Sequence, residues 1–169
     1  MKFFIFAFVS SVVSLFAAEP HGAPKIPNQM TELSAKLKGT WEGDEAKKPS
    51  DQTLKITYES TSGGSALVER LSPGTDHEMI SMYHAENGKL AITHYCMLGN
   101  QPHLVLKKVT NDQYTFEFVP TAGIDSKKDM YMGKLVLTFT GANKLKQEWT
   151  LFEAGKAKDT TVFTLNKKS

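Results

Sequence analysis

The stretch MISMYHAENGKLAITHYCMLGNQPHLVLKKVTNDQYTFEF, residues 79–118, decides the fold. It carries three turn dipeptides, Asn87-Gly88, Gly99-Asn100 and Asn111-Asp112, spaced twelve residues apart. Between them apolar and polar residues alternate, the period of a strand with one buried face. Two-residue turns fix register. They predict Tyr83 opposite Ile92, Ser81 opposite His94, Met79 opposite Cys96, Cys96 opposite His103, His94 opposite Val105, Val109 opposite Tyr114, Lys107 opposite Phe116 and Val105 opposite Phe118. Directly opposed residues share a face. One face therefore collects Ser81, Tyr83, His94, Cys96, His103, Lys107, Tyr114, Phe116 and Phe118, and its aromatic content makes it the expected interior. The opposite face keeps an apolar patch of Ile80, Met82, Tyr95, Leu104 and Leu106. A helix or a second subunit, giving a homodimer, would cover it.

Outward from this stretch the same pattern continues. Turn signals recur at Ser62-Gly63-Gly64, Pro73-Gly74, Ala122-Gly123, Gly141-Ala142 and Ala154-Gly155. Alternating runs lie between them: Leu54, Ile56 and Tyr58; Leu135, Leu137 and Phe139; Leu145, Trp149 and Leu151. The expected fold is all-β, an antiparallel up-and-down barrel of about eight to ten strands. Ahead of it, Met30, Leu33 and Leu37 recur at helical spacing, with Asn28 or Thr31 as the expected N-cap and Gly39 as the stop. At the chain start, Met1-Lys2, an apolar run from Phe3 to Ala17 and the small pair Ala17-Ala18 have the layout of a secretory signal peptide. The expected organisation is a signal peptide over residues 1–18, a proline-rich leader over 19–28 and one barrel domain over 29–169. The mature chain would be exported, without membrane insertion.

Composition excludes several functions. The 169 residues carry 20 basic and 18 acidic side chains, a formal charge of +2, so no electrostatic case exists for nucleic acid. Arg70 is the only Arg, which removes Arg-cluster recognition of phosphate. A single Cys cannot form an internal disulfide. Leucine-rich and aromatic strands must hold the fold by packing.

Leu37-Lys38-Gly39-Thr40-Trp41-Glu42-Gly43, a Gly-x-Trp after a short helix, resembles the first strand of the lipocalin and fatty-acid-binding (calycin) barrels. The resemblance implies that Trp41 packs across one end of the barrel. That pattern also places an Arg late in the chain over the Trp, and none stands here. Further blocks are Thr61 to Glu69, His77-Glu78-Met79, Thr93-His94-Tyr95-Cys96 with Gly99-Asn100-Gln101-Pro102, and Gln147-Glu148-Trp149-Thr150. Together these are similar to a bacterial family of exported, lipocalin-like proteins. The similarity implies fold and export and leaves the activity open.

The chemistry expected inside the barrel is a small-molecule site. Tyr83, Tyr114, Phe116, Phe118 and Trp149 would wall it. His94, Ser81, Gln147 and Lys107 would orient a polar head, Lys107 favouring an anion. Asn100 and Gln101 would stand at the mouth. A second reading places zinc, copper, haem or a Cys/His nucleophile pair at His94, Cys96 and His103. No Gly-x-Ser-x-Gly, P-loop or dinucleotide fingerprint accompanies it, so an enzyme is the weaker expectation. A third reading is a structural protein with a filled barrel. The cofactor is unknown from sequence.

Overall fold

The computed structural model describes residues 26–46 and 53–169. The signal-peptide segment and nearly all of the leader lie outside them. The architecture is a closed barrel of ten antiparallel strands in chain order, sealed where the first meets the last. The strands are β1 (Gly39–Glu45), β2 (Leu54–Thr61), β3 (Ala66–Leu71), β4 (Met79–Glu86), β5 (Lys89–Tyr95), β6 (His103–Thr110), β7 (Gln113–Val119), β8 (Met130–Gly141), β9 (Lys144–Glu153) and β10 (Lys156–Lys167). The helix α1 (Asn28–Leu37) precedes them. This is the up-and-down barrel expected from the turn spacing, and it is compatible with a calycin-like fold. No helix among the described residues is long and apolar enough to cross a membrane.

The Asn87-Gly88 hairpin forms as expected. Both residues take positive φ, 49° and 74°, the conformation that matches the twist of a two-residue hairpin. Ser81 therefore opposes His94, and Tyr83 opposes Ile92. The next connection departs from expectation. Residues 96–102 form a longer loop, closed by Gly99 N–H to the Cys96 carbonyl at 3.0 Å and Cys96 N–H to the Asn100 carbonyl at 3.1 Å. His103 then opposes Thr93, not Cys96. The shift is an odd number of residues, so it turns β6 over: Leu104 is buried inside, and His103 and Val105 stand outside. A bulge between Leu106 and Lys108 turns the chain back again. Leu106 opposes Phe116 and Leu104 opposes Phe118, so β7 still points Tyr114, Phe116 and Phe118 inward as expected. Lys107, in the bulge, is exposed. The outer apolar patch accordingly loses Leu104 and Leu106.

The helix plugs one end of the barrel and leaves the outer wall uncovered. Met30, Leu33 and Leu37 are buried in the same cluster as Trp41, Ile56, Leu145 and Leu165. Burying each such side chain contributes about 1.5–3 kcal/mol. The N-cap is Pro27 rather than Asn28 or Thr31. Trp41 is fully buried under the helix, and its indole N–H donates to the Leu37 carbonyl at 2.6 Å, satisfying a group left over at the helix end. Lys167 Nζ sits 5.3 Å from the centre of the Trp41 ring and donates to the Lys36 carbonyl. A late lysine thus covers the tryptophan where the resemblance leads one to look for an arginine. It belongs to β10.

Gly43 makes the seam possible. A Cβ there would lie 1.8 Å from the Thr164 carbonyl oxygen, so at this position the close approach of β10 leaves no room for a side chain.

Candidate functional site

Up-and-down topology sends alternate connections to opposite ends. The end that holds α1 is closed by tight turns. The other end receives the longer connections 72–78, 96–102 and 120–129. Here the barrel holds a cavity of about 670 Å3. Its apolar wall includes Leu71, Met79, Met132, Trp149 and Phe163, with Leu54 from β2. Its polar lining includes His94 from the wall and Asp44, Lys55 and His77 from the rim.

Below the cavity lies a buried polar layer. Glu69 on β3 is 1% exposed, flanked at i−2 and i+2 by inward Leu67 and Leu71. Its carboxylate accepts from Tyr83 Oη at 2.7 Å, from Gln147 Nε2 at 3.0 Å and from Ser81 Oγ at 3.2 Å. Gln147 Nε2 also reaches Tyr58 Oη at 3.3 Å. No basic side chain forms an ion pair with Glu69 among the described residues. Burial raises its pKa above the usual 4.5, against the opposing pull of the donors that surround it. Burial likewise raises the Tyr58 and Tyr83 phenols well above their ordinary value, with the Glu69 charge adding to it.

The layer is coupled to the cavity through a chain of side chains. Ser81 Oγ, in contact with Glu69, is also 2.9 Å from His94 Nδ1. The Ser81 hydroxyl has a single proton. When it donates to an ionised Glu69, His94 must donate from Nδ1, and Nε2 is left as a lone-pair acceptor. When Glu69 carries a proton and donates to Ser81, the hydroxyl turns to Nδ1, and Nε2 becomes a donor. His94 packs against Trp149 at a tilt of 34°, ring centres 4.6 Å apart. Burial lowers its pKa from 6.5 to about 4, so the imidazole is neutral at physiological pH. The order carboxylate–serine–histidine is not that of a hydrolytic triad, in which the histidine lies between the other two.

The expected site residues divide. Ser81, Tyr83, His94, Tyr114, Phe116, Gln147 and Trp149 are all buried inside. Tyr114 and Phe116 belong to the packed core rather than the cavity wall. Phe118 points inward and packs against Tyr131 at a tilt of 42°, ring centres 4.4 Å apart. Lys107 does not enter the barrel, which removes the interior cation expected to favour an anion. Asn100 donates to the Met130 carbonyl at 2.7 Å, tying the 96–102 loop to β8, and Gln101 is exposed beside it. Cys96 lines the cavity near His94, but burial raises its thiol pKa. A reactive cysteine needs the opposite shift. His103 stands on the outer wall, so the expected convergence of His94, Cys96 and His103 does not form. Glu69 was missed. The signal was present, because Leu67, Glu69 and Leu71 alternate and put a carboxylate on the apolar face.

No family model matches this chain, and a comparison with curated proteins gives no match.

Proposed function

We propose that this protein is an exported, lipocalin-like barrel that binds a small amphipathic molecule at its open end. The observation that carries the proposal is the cavity of about 670 Å3, within the range of small-molecule sites, with a mostly apolar wall and a polar group at its base. The base also selects the ligand's head. His94 is neutral and Glu69 lies behind it, so an anionic head at the base would meet a buried carboxylate, while Lys55, the lysine of the lining, stands at the rim. An uncharged hydrogen-bonding head, such as an alcohol or amide, suits His94 Nε2. The apolar wall takes the tail. The apolar run before Glu19 and the Gly-x-Trp block support export and the lipocalin-like assignment.

Decanol and decanoate separate these terms. Trp149 lines the cavity, so binding is read from tryptophan fluorescence and from the melting temperature. Decanol is expected to change both, and decanoate at neutral pH to bind at least about tenfold more weakly, the cost of roughly one unpaired buried polar contact. His94→Phe is expected to abolish the preference. No response to either probe would overturn the binding reading; tighter binding of decanoate would overturn the assignment of the head. Export is tested by the mass of the protein secreted from cells, expected to lack residues 1–18.

A further inference from the structure

The outer wall carries a cluster that the cavity does not use. His84 and Glu86 stand at i and i+2 on β4 and point the same way. His103 reaches towards them from β6, with β5 between. The β5 residue beneath is Ala91, which pairs with both His84 and Val105. It faces outward yet is fully buried. Its small side chain leaves room for the two imidazoles to meet above it, ring centres 5.7 Å apart.

We propose that His84, Glu86 and His103 form a site for a divalent transition-metal ion of the zinc class. One donor atom from each lies within 4.8 Å of the other two. Zinc binds imidazole and carboxylate at about 2.0–2.2 Å, so donors sharing an ion lie roughly 3.3 Å apart. Small side-chain rotations, with Glu86 exposed and the two histidines half-buried, reach that spacing. His103 Nε2 supplies the second argument. It is shielded from solvent and lies 2.8 Å from Glu86 Oε2, yet makes no hydrogen bond of normal geometry. In the tautomer protonated at Nδ1, Nε2 offers a shielded lone pair beside a carboxylate, which is what a cation needs. Thr93 Oγ1 lies 3.3 Å from His103 Nδ1. A proton held at Nδ1 by Thr93 leaves Nε2 free to ligate, the arrangement by which outer groups orient metal-bound histidines. Two imidazoles and a carboxylate favour zinc over calcium or magnesium, which take oxygen donors. Three protein ligands leave a coordination position for water.

The position gives the ion a role. The β5–β6 ladder pairs at Ala91, Ile92 and Thr93 alone, the shortest ladder in the barrel. An ion held by β4 and β6 would clamp the wall across that gap. The site is independent of the cavity, so it stands or falls without the binding proposal.

The test uses the full purified protein stripped with EDTA and titrated with zinc alone. Stoichiometric uptake is expected, with a rise in melting temperature reversed by EDTA, and a cobalt-substituted sample should show a visible d–d band. His84→Gln and Glu86→Gln, both at accessible positions, should weaken zinc at least about tenfold while keeping the circular dichroism spectrum. Thr93→Val should weaken it by about 10–100-fold through His103. His77→Gln, at the cavity rim, should leave it unchanged. The absence of stoichiometric uptake would overturn the proposal. So would wild-type affinity in His84→Gln, which would place the ion elsewhere.

Discussion

The two ends of this barrel are built from the same strands and do opposite things. At the closed end, Met30, Leu33, Leu37, Trp41 and Leu145 fill the interior, and α1 seals it. Lys36 locks the seal, bonded to Asp112 at 2.8 Å and lying over the Phe139 ring at 5.0 Å. At the open end, longer connections replace the helix and the interior keeps its volume. Between the ends, Glu69, Ser81, Gln147 and the two tyrosines form a polar floor. The difference teaches where each kind of residue can change. Substitutions below the floor should act on stability and those above it on binding.

The largest effect expected under that division is that of Trp41→Ala. Losing a fully buried indole should cost about 3–5 kcal/mol, read as a fall in the urea midpoint. Whatever folded protein remains should still bind decanol, because Trp41 is not in the cavity.

The floor itself should respond to acid. His94 has a folded pKa of about 4 against 6.5 when unfolded. As pH falls through that window the unfolded chain takes up the proton first, so stability is lost, by up to about 3 kcal/mol. Glu69 acts in the other direction. Its folded pKa is raised, so the folded state takes up that proton first as pH falls, and stability is gained. Glu69→Gln removes the offset and should steepen the acid loss in urea titrations between pH 7 and 4. An unchanged pH profile in that variant would separate Glu69 from the titration.

The smallest effect belongs to the latch. Lys36→Ala removes a largely exposed ion pair with Asp112, and a loss of about 0.2–1 kcal/mol is expected, shrinking with added salt. A larger loss would mean that the contacts of Lys36 with Phe139 and Tyr114, rather than its charge pair, hold the helix down.

The barrel was legible because its turns are written in dipeptides with a physical meaning. Asn87-Gly88 placed His94 opposite Ser81 from chain chemistry alone. Gly99-Asn100 misled for the same reason. The dipeptide marks a turn, but Pro102 and the carbonyls of Cys96 and Asn100 organise a wider loop around it. Its odd offset carried His103 and Lys107 out of the interior. The bulge near Lys107 has no sequence marker, yet it restored the face of Phe116 and Phe118. Two unpredicted features cancelled on β7 and left β6 inverted between them. The cavity was not legible at all, because volume depends on which side chains fail to meet.

The seam between β1 and β10 has a consequence in time. Every other pairing joins strands adjacent in the chain, so hairpins from β2 to β9 can form as soon as both partners exist. Trp41 and Gly43 must wait. The strand that packs beside Gly43 and brings Lys167 over Trp41 is the tenth of the ten in chain order. Until it arrives, β1 and β9 each present a raw edge. The barrel therefore closes only when β10, the last of the ten strands in chain order, reaches β1. A chain shortened by its final strand should assemble with other copies through those edges rather than fold alone.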